Sequence, residues 1–302
     1  MSRILVSGLI NLETTLRVDG FPIEYSPARY PFFGVDSSVS GVGFNVAAAL
    51  STLGDDARLL SLVGDDLPGR AARERLSGIG ISAQYVLPSL PRTPQSVVLY
   101  DAAGRRQVNT DLKDLQERAY PVDRFDEALA GCDLAALTNI NFSRPLLSRA
   151  RDAGIPIACD VHAISQLDDP YNADFMRQAT ILFMSHERLP MEPAAWLATL
   201  MHEYAAPRVA VVGLGQDGAL LAVRGETGSY HVPARLTRPV VSTVGAGDAL
   251  FSAFLHVYVK KGDPYEALRM ATMFASYKIG ATGGAEGFLD DAGLRELCDQ
   301  GA

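Results

Sequence analysis

Residues 242–262 read STVGAGDALFSAFLHVYVKKG and combine a run of small residues with a clear helical pattern. Apolar residues recur in its second half at the spacing of one helix face: Leu250, Phe251, Phe254, Leu255 and Tyr258. Three small residues, Gly245, Ala246 and Gly247, come directly before that predicted helix. Amides in the first turn of a helix lack partners within the helix, and the helix dipole favours negative charge there. The stretch therefore predicts an anion site at the start of a helix.

Asp248 stands at the start of the same helix and has two interpretations. As an N-cap it would stabilise the helix by ~1 kcal/mol, which is a common role for aspartate. Beside a bound phosphoryl group, it would instead accept the proton of an attacking hydroxyl while the loop amides hold the anion. A cap alone does not explain the run of small residues before it, but from the loop and helix both interpretations stay open.

The composition narrows the class of protein. The chain has 302 residues, 48% of them hydrophobic and 21% charged, which excludes collagen-like, disordered and disulfide-scaffold proteins. Its net charge of −8 disfavours nucleic acid and anionic membrane surfaces as partners. The three cysteines have no CxxC spacing, and no apolar run is long enough for a signal peptide or a membrane span. We therefore expect a cytoplasmic protein with reduced thiols.

Outward from this stretch, short apolar runs alternate with helical segments. The runs that follow the first hundred residues are 134–137, 155–159, 181–184 and 209–212. Such alternation predicts a parallel sheet flanked by helices.

Two segments depart from that alternation. Residues 11–40 are rich in proline and aromatic residues, which disfavours both helix and central strand, so we expect an irregular or edge-strand excursion. Residues 96–110 have the pattern of a hairpin that could pair with it. Because no long linker appears, we expect one domain over residues 1–302, with a small β lid formed by about 12–38 and 96–110.

The motif Gly213-Leu-Gly215-Gln-Asp-Gly218 matches the dinucleotide pattern GxGxxG, but its surroundings do not. A strand pattern over 219–223 follows it where a helix is needed, and no acidic residue lies ~20 positions further on. We predict a tight hairpin instead. The five histidines likewise show no metal-ligand spacing.

Three motifs, in order along the chain, resemble those of the ribokinase-type (phosphofructokinase-B-type) carbohydrate kinases. S-T-V-G-A-G-D at 242–248 is similar to their C-terminal signature D-T-x-G-A-G-D. S-G-V-G-F-N-V-A at 40–47, followed by L-x-x-L-G at 50–54 and G-D-D at 64–66, resembles their N-terminal signature. The hairpin at 212–218 resembles their T-x-G-x-x-G segment, which borders ATP. Together the motifs extend over nearly the whole chain.

The resemblance implies a ribokinase-like α/β fold, with a mostly parallel central sheet, helices on both faces and a small β lid that often forms homodimers in relatives. It implies ATP and Mg²⁺, and transfer of the γ-phosphoryl group to a primary hydroxyl of a sugar or sugar-like acceptor. Asp248 would be the general base, and the Gly245, Ala246 and Gly247 amides the anion hole. The acceptor-binding positions would be Glu13, Gly41, Gly43, Asn45 and Asp160. With the groove expected between the two C-terminal helices, the ATP-binding positions would be Gly213, Gly215, Gly218, Thr243, Lys278 and Gly280.

Several positions depart from the family pattern. Glu13 stands where many relatives have an aspartate that binds acceptor hydroxyls, and its extra methylene implies a smaller or shifted acceptor. Ser242 replaces the first aspartate of the signature, which helps bind a monovalent cation in potassium-activated relatives, so we do not expect potassium activation. Glu187 aligns with the glutamate of the N-x-x-E segment that helps organise magnesium, although Met184 replaces its asparagine.

Two other functions stay open at this stage. A nucleoside kinase of the same fold would need aromatic residues to stack on a base. The candidates are Tyr30, Phe32, Phe33 and Phe44. A non-catalytic metabolite-binding relative would explain the departures just described, but it would have no need to keep Asp248. The sequence does not identify the acceptor among pentoses, hexoses, sugar acids and nucleosides.

Overall fold

The computed structural model describes residues 1–103 and 105–300. Within these ranges it has thirteen strands, which include most residues of the predicted apolar runs. In chain order these strands are β1 (Arg3–Ser7), β2 (Asn11–Arg17), β3 (Val35–Ser40), β4 (Asp56–Gly64), β5 (Val86–Leu90), β6 (Gln95–Tyr100), β7 (Arg106–Asp111), β8 (Leu134–Leu137), β9 (Ile157–Ala163), β10 (Ile181–Ser185), β11 (Val209–Gly213), β12 (Ala219–Val223) and β13 (Tyr230–Val232). The helices are α1 (Val42–Thr52), α2 (Leu67–Gly78), α3 (Val122–Leu129), α4 (Arg144–Asp152), α5 (Ala173–Gln178), α6 (Pro193–Glu203), α7 (Ala246–Lys261), α8 (Pro264–Lys278) and α9 (Asp291–Gln300).

The large sheet has the strand order β13-β12-β11-β10-β9-β8-β1-β4-β5. Its neighbours pair in parallel from β11 through β5, and the last two pairs, β11–β12 and β12–β13, are antiparallel. Gly213 lies opposite Ala219 across the β11–β12 pair. The predicted parallel sheet and the predicted hairpin over the GxGxxG motif are both confirmed.

Helices cover both faces of this sheet. Successive strand residues point to opposite sides, and both sides carry apolar residues that the helices bury. In the central strand β1, Ile4 and Val6 pack with residues of α1, α7 and α8, whereas Leu5 packs with residues of α3, α4 and α6. Helix α7 is anchored by Phe251 and Phe254, whose burial contributes roughly 2 kcal/mol each. This packing fixes the glycine loop that precedes α7.

A smaller sheet, with the order β3-β2-β6-β7, is formed by the two segments that depart from the alternation. Its central pair, β2–β6, is parallel, and its outer pairs are antiparallel. The prolines of the first segment lie between β2 and β3, so the flanking residues are free to form strands. The expected pairing of the two segments is thus confirmed, although β2 is an internal strand and not an edge.

The remaining sequence expectations concern the cysteines and membrane spans. Cys132 and Cys159 are buried free thiols, as expected, and burial raises the pKa of both. None of the helices in the described ranges is long and apolar enough to pass through a bilayer.

Candidate active site

The glycine loop begins helix α7 at the point that the sequence predicts. Gly245 is the N-cap residue, in the left-handed conformation at φ 78°, and a Cβ atom there would collide with the carbonyl oxygen of Gly284. Asp248 is the third residue of the helix, and no side chain caps α7. The N-cap interpretation of Asp248 is therefore wrong.

The first turn of α7 leaves amides available. Ala246 N–H donates to the carbonyl of Thr243 over 3.2 Å, and Ala249 N–H donates to that of Gly245 over 2.9 Å. Between them, the amides of Gly247 and Asp248 donate to no acceptor among the described residues. A Cβ atom on Gly247 would meet no neighbouring atom within 4 Å. Open space therefore lies beside the start of the helix, as an anion site needs.

The Asp248 carboxyl group is almost buried and is held from another helix. Asn45 on α1 donates from Nδ2 to Asp248 Oδ2 over 2.7 Å, and Asp248 is only 9% exposed. Burial raises the pKa of Asp248, and the hydrogen bond from Asn45 partly opposes that rise. The result is a positioned carboxyl group that holds its proton more readily than an exposed aspartate.

Two polar side chains of β2, those of Glu13 and Asn11, lie on the strand face that is turned toward Asp248. Glu13 is 8% exposed, and its Oε1 has no hydrogen-bond partner in the described part of the chain. Burial, and then the negative charge of Asp248, raise the pKa of Glu13. Asn11, two residues earlier, donates to Ser96 Oγ on β6, and its buried Oδ1 also lacks a described partner. Buried acceptors of this kind suit the hydroxyl donors of a polyhydroxy ligand.

Asp160 and His162 approach Asp248 from β9. Asp160 is buried, and its Oδ1 accepts the backbone N–H of His162 over 2.8 Å. His162 has a positive φ of 57°, which is uncommon for a residue with a side chain. The charges of both influence Asp248: His162 lowers its pKa, whereas Asp160 raises it.

Gly41 and Gly43 lie where the start of α1 approaches the β1–β2 connection. A Cβ atom on Gly41 would lie 2.6 Å from the carbonyl oxygen of Leu9, and one on Gly43 would meet the backbone of Gly8. Only glycine permits this close approach, which brings Asn45 to its position one turn into α1.

The predicted ATP positions occupy two places. Gly213, Gly215 and Gly218 form the β11–β12 hairpin, where the His186 ring bonds the Gly213 carbonyl over 2.9 Å. Thr243 precedes the glycine loop, and its Oγ1 accepts from Arg106 Nη1 over 3.0 Å. Arg106 belongs to β7, so this bond joins the smaller sheet to the loop.

The last two predicted ATP positions lie at the end of α8. Gly280 packs against the Arg238 side chain. Lys278 is fully buried, and its ammonium group donates to the carbonyls of Val244 and, over 2.6 Å, Gly283. Its position differs from the predicted ATP contact, because the ammonium group faces backbone carbonyls and not an open groove.

A metal site is weakly defined by the protein alone. Glu187 is exposed on a short turn after β10, and its backbone N–H donates to Ser185 Oγ. Across residues 1–103 and 105–300, no three His, Cys, Asp or Glu side chains converge in a way that could hold an ion. Mg²⁺ in kinases is bound by one or two carboxylates together with substrate phosphates and water, so a single carboxylate is compatible with an ion that arrives with a nucleotide.

Sequence reasoning missed three polar residues at this site: Asn11, Ser96 and Arg106. Asn11 lies two residues from Glu13 on a predicted strand, so period-two alternation could have placed both side chains on one face. Ser96 and Arg106 depend on the exact register of β2 with β6 and of β6 with β7, which no local pattern specifies.

A helix-start anion site beside a buried carboxylate, below a polar face of a small sheet, is typical of phosphotransferases that act on hydroxyl groups. Residues 1–291 match the family model described as "pfkB family carbohydrate kinase", and the chain belongs to that family. It is therefore an alcohol-acceptor phosphotransferase of a family that uses ATP, and the predicted fold and enzyme class are confirmed.

The similar proteins cover nearly the whole chain. The ATP-dependent ribose-1-phosphate kinase of Halopiger xanaduensis is 30% identical over 293 residues, or 94% of each chain. A deoxyribokinase of Salmonella typhi is 27% identical over 298 residues, which cover 93% of this chain and 92% of that protein. The solved structure of a microbiome-derived acarbose kinase, Mak1, matches with a TM-score of 0.89 at 25% identity and covers 99% of both chains.

Proposed function

We propose that this carbohydrate kinase transfers the γ-phosphoryl group of ATP to a hydroxyl group of a sugar or sugar-like acceptor, with Asp248 as general base. The observation that carries the proposal is the pairing of Asp248 with Asn45 directly beside the free amides of α7. The base would then lie next to the bound phosphoryl group, as an in-line transfer requires.

Asp248 would take the proton from the attacking hydroxyl group. Asn45 donates to one oxygen of the Asp248 carboxylate, which leaves the other oxygen free to accept the proton of the sugar hydroxyl. Because the pKa of Asp248 is raised, it lies closer to the working pH, which favours proton transfer to the carboxylate. The Gly247 and Asp248 amides would stabilise the negative charge on the transferring group.

The acceptor would bind against β2. The unpartnered oxygens of Asn11 and Glu13 would accept hydrogen bonds from its hydroxyl groups, and Asp160 would face it from the large sheet. The relative from Halopiger xanaduensis is named for ribose 1-phosphate and that from Salmonella typhi for deoxyribose. We therefore expect a pentose or a closely related sugar.

Mg²⁺ bound with ATP neutralises phosphate charge during the transfer. Glu187 is the carboxylate of this chain that would hold the ion. Gly213, Gly215 and Gly218 would border the nucleotide, with Thr243 and Gly280 on its other side. The bond from Arg106 to Thr243 would help the smaller sheet act as the lid that excludes water.

We also propose that the lid forms a homodimer. On the face of the smaller sheet opposite Glu13, the strand register aligns four aliphatic side chains, which we call the outer stripe: Leu16, Val35, Val97 and Leu99. Val35 is 58% exposed and Val97 42% exposed. A second copy would cover this stripe with the same surface, since a two-fold interface is self-complementary.

A nucleoside acceptor has less support. Phe44, one of the aromatic residues expected to stack on a base, is buried in the core, so that expectation is wrong for this residue. The other three, Tyr30, Phe32 and Phe33, lie exposed on the segment between β2 and β3.

The test is ADP release from MgATP with pentoses, deoxyribose, ribose 1-phosphate, hexoses, sugar acids and nucleosides. We expect turnover with at least one sugar, and a fall in kcat of ~10²–10⁴-fold in Asp248→Asn. Asp123→Asn, the same change on the exposed start of α3, should leave kcat unchanged. Near-normal turnover by Asp248→Asn would contradict the proposed base. Nucleotide binding without turnover across the panel would favour the metabolite-binding alternative.

A further inference from the structure

Lys278 carries a fully buried positive charge between two loops: the glycine loop before α7, and the loop after α8 that contains Gly283 and Gly284. We propose that its ammonium group is a positioning group that takes the place of a bound monovalent cation, so that this kinase needs no added potassium. The inference deepens the proposed function and rests on it, because it concerns how the same anion site is held in shape.

The contacts of Lys278 join the two loops directly. Its Nζ donates to the carbonyl of Val244, the residue before Gly245, and to the carbonyl of Gly283. The next residue, Gly284, lies so close to Gly245 that a Cβ atom on Gly245 would collide with the Gly284 carbonyl oxygen. A Cβ atom on Gly284 would also lie 2.6 Å from Asn45 Nδ2. The ammonium group therefore fixes the start of α7 relative to the partner of Asp248.

The charges around Lys278 favour a cation at this point. Those that face it from the surrounding elements are Asp248 on α7, Glu13 on β2, Glu286 after α8, and Arg238 before the glycine loop. The three carboxylates favour the ammonium form, and Arg238 opposes it. An ammonium group that is buried this completely needs such partners, because burying an unpaired charge is costly.

A separate monovalent cation does not fit the residues present. Carbonyl oxygens are the ligands that replace the hydration shell of potassium, and the carbonyls of Val244 and Gly283 already accept from Lys278. Ser242, two residues before Val244, offers no negative charge to balance a second cation. Two positive charges so close together would also repel each other.

The first measurement compares wild-type kcat in potassium chloride and in choline chloride of equal ionic strength. We expect no difference, and activation by potassium would overturn the inference. In Lys278→Ala, which opens space at the ammonium position, we expect kcat to fall roughly 10²-fold, as for loss of one anion-hole contact. Potassium or ammonium ions should restore part of it. Lys278→Met fills the space, so it should lose activity without rescue.

The matched control is Lys261→Ala, which removes a partly exposed lysine whose partner is Glu266. It should keep wild-type kcat in both salts. Full activity of Lys278→Ala in choline chloride would also overturn the inference, because the loop would then need no cation.

Two readouts do not depend on turnover. Crystals of Lys278→Ala soaked in rubidium chloride should show an anomalous peak beside the Val244 and Gly283 carbonyls, and wild-type crystals should show none. The Kd for a non-hydrolysable ATP analogue should be equal in the two salts for the wild type, and should depend on potassium in Lys278→Ala. If no acceptor is phosphorylated but these results hold, the proposed function fails and the cation assignment stands.

Discussion

Lys278 illustrates what can and cannot be predicted for a single residue. The sequence places it at the end of a helix, near a loop of small residues, and so suggests a contact with ATP. Which way its ammonium group points depends on the positions of Val244 and Gly283, which belong to separate loops. Asp248 and Asn45, by contrast, are identified by their motifs, although their mutual hydrogen bond appears only in the folded chain.

The buried position of Lys278 predicts an upper pH limit for the reaction. Burial lowers its pKa to about 8 from 10.5, although Asp248 and Glu13 oppose the change. Because the proposed role needs the charged form, kcat/KM should fall as the pH rises through about 8. The pH dependence of kcat/KM for wild-type enzyme and Lys278→Met checks this, since the variant should lack that limb.

Stability should change in the opposite direction over the same pH range. The unfolded chain holds the Lys278 proton up to a pH near 10.5, whereas the folded protein releases it near 8. Between those values the unfolded state binds more protons, so the free energy of unfolding rises with pH. A parallel fall of activity and of urea stability above pH 8 would show general alkaline unfolding and contradict the assignment.

Helix α7 is the element whose start and end the sequence predicts best. Small residues come before its first turn, apolar residues fill its buried face, and Gly262 ends it in the left-handed conformation. Strands β2 and β3 were harder to predict, because the prolines between them dominate the local pattern and their partners are distant in sequence. Secondary structure that depends on local residue spacing can therefore be predicted from the sequence, whereas the register between strands that are distant in sequence cannot.

The start of α7 gives a prediction that separates function from stability. A Cβ atom on Gly247 meets no neighbouring atom, and alanine is the better helix residue, so Gly247→Ala should leave the melting temperature unchanged or higher. The methyl group would occupy the open space beside the free amides, and kcat/KM should fall by roughly 10²-fold. Thermal melting and steady-state kinetics measure the two effects.

The matched control is Gly78→Ala at the end of α2, where an added Cβ atom also meets no neighbour. It should behave like the wild type in both assays. Normal kinetics for Gly247→Ala would mean that the phosphoryl group does not bind at the start of α7.

For the whole molecule, the order of the motifs correctly predicts a mostly parallel sheet with helices on both faces. Motif order carries this information because strands and helices that alternate along the chain have few ways to pack. The lid role of the smaller sheet, the single-domain boundary and the cytoplasmic location stay predictions. The acceptor likewise stays a prediction, because it depends on side chains that distant segments bring together, such as Glu13 and Asp160, and motif spacing does not specify their arrangement.

The outer stripe predicts the state of assembly. We expect a dimer of about twice 32.4 kDa, and Val97→Glu should convert it to a monomer, because a buried unpaired carboxylate disfavours the interface. Val122→Glu is the control, since Val122 has a similar exposure of 40% but lies on α3. Sedimentation velocity gives both masses. A wild-type monomer, or a Val97→Glu dimer, would contradict the proposed interface.

The parallel pairing of β2 with β6 also has a consequence for how the chain is made. Leu12 pairs with Gln95, and all of β4, α2 and β5 lies between them in sequence. On the ribosome β2 therefore emerges long before β6, and one of its edges stays unpaired while the intervening segment is synthesised. An unpaired strand edge invites pairing with other chains, so this edge of β2 exposes a nascent copy to misassembly until β6 is made.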